Sequence, residues 1–230
     1  MEHLAEALKA LASYDYGSSR AALRPIDEAA NGVFGKRTEQ ARLEGQLLTA
    51  LSGARSVPAR QYVCAILARI GSEKSVPALA AMLQDAAVSS SARTALESIA
   101  CAEALKALRK ALRDAEGANR VGLLNSLGVC RDASAIGLLV EQAAERDSAV
   151  AEAAIAALGE IGTRKAGQAL LKVAGSVNTP GLADAMLTCA EQLQRDGESG
   201  AASRLLAALN KREQPQYIRD AIARAPRRAS

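Results

Sequence analysis

Leu4, Leu8 and Leu11 recur at the three-to-four-residue spacing that places them on one face of a helix over about 2–13. The same spacing returns along the rest of the chain. After the turn Tyr14-Asp15-Tyr16-Gly17-Ser18-Ser19, a second helix is predicted from about Arg20 to Ala30. Ser18 or Ser19 can cap it, and Pro25 falls near its first turn, where proline is tolerated. Asn31-Gly32-Val33-Phe34-Gly35 interrupts the pattern. Leu43, Leu47, Leu48 and Leu51 resume it over 37–51.

From Pro58 onwards the apolar runs become regular and paired. Helices over 59–70 and 75–83 form the first pair, followed by 92–99 with 102–113 and 120–129 with 133–144. Two further pairs are 149–161 with 165–174 and 180–194 with 199–209. The anchor leucines Leu67, Leu96, Leu127 and Leu158 stand 29, 31 and 31 residues apart. A fixed period in this range marks a helical solenoid, whose units are too small to bury their own apolar faces and stack on their neighbours. The predicted fold is therefore all-α, an α-solenoid of stacked antiparallel helix pairs. A single domain is expected over 1–230: a diverged N-terminal cap over 1–56, five repeats over 57–210, and a C-terminal cap and tail over 211–230. That last part includes a short helix near 216–225. Gly71, Gly128, Gly162 and Gly197 sit at or near the predicted helix ends, where a left-handed cap favours glycine.

Composition agrees with the helical reading. Hydrophobic residues make up 49% of the 230 and aromatics only 2%, with no tryptophan, and alanine and leucine dominate. The 29 basic and 25 acidic residues give a net charge of +4. They are spread along the chain, unlike the one-faced basic surface of a nucleic-acid binder. Denser basic clusters occur only at Arg109-Lys110-Arg113 and at Arg224, Arg227 and Arg228. No run approaches the ~20 apolar residues of a membrane span. Met1-Glu2-His3-Leu4 has neither the basic nor the apolar region of a signal peptide.

The four cysteines form no C-x-x-C pair, and His3 is the one histidine, so neither a metal site nor a cofactor is expected. Cys64 and Cys189 occupy helix positions that carry Leu, Ile or Met in other repeats, and read as small core residues. Cys101 and Cys130 fall in turns of adjacent repeats, where a disulfide is conceivable. With a single histidine, Ser-His-Asp or Cys-His catalysis has almost no raw material, so no catalytic residues are assigned. Glu141 and Glu145, at i and i+4, read as a solvated helix face.

The units resemble HEAT repeats of the short bacterial type. The resemblance rests on Ala156-Ala157-Leu158-Gly159-Glu160-Ile161-Gly162 and on the run from Ser75-Val76-Pro77-Ala78-Leu79 to Gln84-Asp85. It covers about 57–210 well and 1–56 loosely. It implies that Asp85 with Arg93, and Asp114 with Arg120, tie neighbouring repeats together. The segments Ala12–Arg20 and Ala95–Ile99 look like the HEAT region of large bacterial secreted or periplasmic multidomain proteins. This implies a scaffold module and inclines the localisation towards the periplasm.

In the resembled family the second helix of each pair lines the concave side of the solenoid. Residues projecting there would be Lys106, Arg109, Lys110 and Arg113, then Glu141 and Glu145, then Lys165, Gln168 and Lys172, then Arg204. This surface of mixed charge suits a protein or peptide partner. The expected function is a non-enzymatic, monomeric interaction scaffold, with nucleic acid disfavoured. The alternatives are a chromophore-lyase-like or DNA-glycosylase-like HEAT protein, and a structural spacer. Tyr14, Tyr16, Phe34 and Tyr62 cluster in the first third, as cap packing or as a binding edge.

Overall fold

The computed structural model describes residues 2–177, 179–211, 216, 219 and 220. The short helix expected near 216–225 and the tail cluster Arg224, Arg227 and Arg228 fall almost wholly outside these residues. Every regular element among the described residues is helical. The chain gathers into two compact units, Met1–Ala115 and Glu116–Ser230.

The first unit holds α1 (Glu2–Ala10), α2 (Arg24–Gly32), α3 (Arg37–Gly53), α4 (Val57–Ile70), α5 (Val76–Ala81), α6 (Ser89–Ile99) and α7 (Ala102–Leu112). α1 packs on α2 and α3, and α3 on α4. The regular stacking begins there, with first helix α4 on first helix α6 and second helix α5 on second helix α7. The second unit holds α8 (Gly117–Val129), α9 (Ile136–Gln142), α10 (Ser148–Ile161), α11 (Arg164–Val173), α12 (Pro180–Arg195) and α13 (Ser199–Asn210). Its first helices form the row α8, α10, α12, and its second helices the row α9, α11, α13. The predicted pairs match these bounds to within a few residues. α5 and α9 fall within the same margin but are shorter than predicted at both ends, because a 3-10 turn precedes each and a turn follows it.

Local chemistry places the ends. Pro25, Pro58, Pro77 and Pro180 stand in the first turns of α2, α4, α5 and α12, where a missing N–H costs nothing. Ser19 accepts from the Ala21 amide as the predicted cap of a 3-10 turn that leads into α2. At the head of α10, the Asp147 carboxylate accepts from the amides of Ala149 (3.0 Å) and Val150 (3.4 Å). Asp147→Ala is expected to cost about 1 kcal/mol, the usual value of such a cap, read as a lowered thermal midpoint. An unchanged midpoint would show that the cap contributes nothing.

α10 buries nine of its fourteen residues, from Val150 through Leu158 to Ile161, because α8 and α12 flank it while α9 and α11 cover it. Its alanines let those neighbours close in. The tightest approaches are at two glycines. A Cβ on Gly128 of α8 would lie 2.9 Å from the Ala157 Cα of α10. A Cβ on Gly159 of α10 would lie 2.8 Å from both the Cα and the carbonyl oxygen of Ala185 in α12.

This corrects the reading of the glycines. Gly162 and Gly197 do adopt left-handed geometry (φ +63° and +80°). Gly71 is extended (φ −66°), and Gly128 lies inside α8, where it is needed for contact rather than for a turn. Ala100 and Arg131 take the left-handed positions in the other turns (φ +48° and +50°).

Polar contacts tie the turns. In the first unit, Glu44 of α3 is buried, and its carboxylate accepts from the Ser72 amide (2.7 Å) and the hydroxyls of Ser72 (2.8 Å) and Ser75 (2.6 Å). Asp85, expected to reach forward to Arg93, is instead held by Arg60 of its own helix pair at 2.6 Å. The Arg60 hydrogen bond holds its carboxyl below the usual range, and the Ala87 amide adds to the effect. In the second unit, Arg131 in the turn after α8 donates to the Ile161 carbonyl at the end of α10 (3.2 Å). It also pairs with Asp196 beyond α12 at 3.6 Å.

All four cysteines are free thiols, so the conceivable bond between Cys101 and Cys130 is not formed. Cys64 and Cys189 are buried in the core as expected, and burial pushes both thiols up to about 11.

Candidate interaction surface

α7 buries Ala104, Leu108 and Leu112 at a spacing of four, which turns Lys106 and Lys110 to the opposite, exposed side. Arg109 is half-buried, and Arg113 is exposed just past the helix end. The first unit thus presents a short basic ridge.

In the second unit, α9 ends at Gln142. Glu141 is exposed on its last turn, but Glu145 lies in the following loop, so the two carboxylates do not share a helix face. The physical reason is the early turn at Ala143 and Ala144, which replaces the last turn of the predicted helix. α11 buries Ala166, Gly167, Ala169, Leu170 and Val173, and leaves Lys165, Gln168 and Lys172 exposed at i, i+3 and i+7. These three share one outward face. α13 buries Ala202, Leu205 and Leu209 and exposes Arg204.

Between α11 and α13 runs a groove of about 280 Å³. Gly167, Leu171, Ala201 and Leu205 supply its apolar lining, with Arg164, Gln168 and Arg204 at its polar edge. Sequence reasoning chose Gln168 and Arg204, and the fold brings them to one place. Lys165 and Lys172 flank the groove along α11 without lining it. Arg164 was missed. It opens α11, where it reads as a surface charge, and only the stacking of α13 brings Glu198 to it. Both Nε (2.7 Å) and Nη2 (2.5 Å) of Arg164 donate to that carboxylate. Arg204 donates from Nε to the Gly200 carbonyl at 3.2 Å, which lays its guanidinium back along α13.

The aromatic residues differ in burial. Tyr62 is buried, donates to the Leu23 carbonyl at 3.1 Å, and carries the Arg20 guanidinium 5.8 Å from its ring centroid. Burial, and then the nearby Asp27 carboxylate, push its hydroxyl well above the usual tyrosine range. It is cap packing. Tyr16 and Phe34 are 76% and 84% exposed. Among the described residues no group of three His, Cys, Asp or Glu side chains could hold a metal ion. Among the same residues no helix is long and apolar enough to cross a membrane.

Rows of antiparallel helix pairs, first helices on first and second on second, define an α-solenoid repeat protein. Residues 105–185, from within α7 to within α12, match the family model of HEAT repeats, and over that stretch the chain is built of them. No curated protein matches the chain.

Proposed function

We propose that this protein is a non-enzymatic interaction scaffold that binds a protein partner on the outward faces of its second helices. HEAT repeats are commonly protein-interaction scaffolds. The observation that most favours this reading is the division of labour along α11. One side of that helix is buried against its neighbours, while the other sets Lys165, Gln168 and Lys172 together in solvent beside a groove. α10, a first helix, buries nine of its fourteen residues and exposes a stripe of Glu152, Ala156 and Glu160, which carries no cation. The basic ridge of α7 is the corresponding surface of the first unit.

The test is cross-linking in the native cell from a photoreactive residue placed at Gln168, at Lys110, or at the exposed Glu152 of first helix α10. Discrete protein adducts are expected from the first two positions and not from the third. Adducts from none of them, or equal adducts from Glu152, would overturn the proposal.

A further inference from the structure

Resting on the scaffold reading, we infer that the groove between α11 and α13 is an anchor pocket for an aliphatic side chain of a protein partner that carries an acidic residue beside it.

The lining sets the first half of this specificity. Leu171, Leu205, Ala201 and Gly167 are apolar, so a buried aliphatic group gains there by losing contact with water. At about 280 Å³ the groove falls just below the range of small-molecule pockets, which starts near 300 Å³, and suits one or two side chains rather than a cofactor. Gly167 keeps the space between the helices open. A Cβ there would already stand 3.3 Å from Leu205 Cδ1.

Charge sets the second half. Four cations, Arg164, Lys165, Lys172 and Arg204, stand in or along this groove, and the Glu198 carboxylate that Arg164 engages is the acidic group paired with a lining residue among the described residues. The surplus is positive and lies at the rim, where it selects a partner by complementarity and speeds encounter. Arg204, on the edge of the apolar lining, is placed to receive a carboxylate next to the seated side chain.

The same surplus argues against the chain's own downstream segment as the occupant. Residues 211–230 contain six basic side chains, Lys211, Arg212, Arg219, Arg224, Arg227 and Arg228, and only two acidic ones, Glu213 and Asp220. A nucleic acid would meet the cations but would find no aromatic platform in the groove on which to stack a base.

The experiment is selection from a random-peptide phage library against the full chain, with affinities of the selected peptides measured by fluorescence anisotropy. Selected peptides are expected to share an aliphatic residue close to Asp or Glu and to bind more weakly as salt rises. Arg204→Glu should weaken them about tenfold or more, as loss of a central charged contact does. Lys9→Glu, an equal charge change on exposed α1, should leave them unchanged, and circular dichroism should show both variants folded. Gln168→Trp, which fills the groove from its edge without touching a charge, should weaken binding by a similar factor.

Peptides without an acidic residue, or indifferent to both groove substitutions, would overturn the assignment. So would displacement of the selected peptide, at comparable affinity, by a peptide of residues 212–230 or by a single-stranded oligonucleotide. A concentration-dependent dimer abolished by Arg204→Glu would overturn it in favour of a second copy of the chain. Failure to select any peptide would overturn the pocket alone, because the scaffold reading stands or falls separately on cross-linking from Gln168 and Lys110.

Discussion

Gly159→Val is expected to lower the stability of the second unit by about 3 kcal/mol, the upper end of the usual cost of overpacking a close-packed interior. Helix propensity alone predicts the opposite sign. Glycine in a helix interior is worse than alanine by about 1 kcal/mol, and β-branched valine lies between them. The outcome therefore depends on space. At Gly159 there is none, since even the first carbon of a side chain would press on the Cα and carbonyl of Ala185. Backbone cannot swing aside as a flexible side chain can, so α12 must move off α10 along its length. Gly45 is the internal control. It stands in the middle of α3, is exposed, and a Cβ there meets nothing within 4 Å. Gly45→Ala should stabilise by about 0.4–1 kcal/mol through lost freedom of the unfolded chain. Urea unfolding of Gly45→Ala, Gly159→Ala and Gly159→Val should move the midpoint up, down and further down. A rise for Gly159→Ala would mean that α10 and α12 are not in backbone contact.

Glu44→Ala is expected to cost about 3 kcal/mol, the upper end for hydrogen bonds to a charged group. The carboxylate is 2% exposed and serves three donors in the turn between α4 and α5. Its removal strands the Ser75 hydroxyl, which is fully buried, and takes away the partner of the Ser72 amide. Glu44→Gln keeps the shape and one acceptor oxygen and should lose roughly half as much, because the bonds are no longer charge-assisted. Glu39→Ala removes an exposed carboxylate of the same helix and should fall within about 0.5 kcal/mol of the parent. Native-state hydrogen exchange at the Ser72 amide gives a local readout, which should quicken in Glu44→Ala. Equal midpoints for the Glu39 and Glu44 variants would remove Glu44 from its structural role.

What the chain discloses before folding is its periodicity, and this suffices for the helices. The leucine anchors, the first-turn prolines and the alanine-rich runs place nearly every boundary, because these are local effects repeated at one spacing. What stays hidden depends on one helix pair meeting the next. Gly128 looks like a helix stop, and Gly159 like one more residue of the repeat motif, until Ala157 and Ala185 lie against them. Glu44 looks like any surface glutamate of α3 until Ser72 and Ser75 arrive from some 30 residues downstream. For Asp85 the repeat resemblance points to Arg93, and only the geometry selects Arg60. Among the candidate interaction residues, helical spacing alone groups Lys165, Gln168 and Lys172, whereas stacking of α11 on α13 is needed to join Gln168 to Arg204. Glu145 fails for a local reason, the early end of α9, which the alanines at 143 and 144 give no reason to expect.

Arg131 has a bearing on how the second unit comes apart. Repeat arrays are usually treated as one-dimensional chains in which each element feels only its immediate neighbours. The guanidinium that leaves the turn after α8, touches the end of α10 and reaches Asp196 past α12 adds a link that skips a neighbour. It is an exposed and individually weak link, of the kind worth up to about 1 kcal/mol. Its importance lies in its range, since fraying that starts at the last helix pair is reported directly to a turn two pairs away.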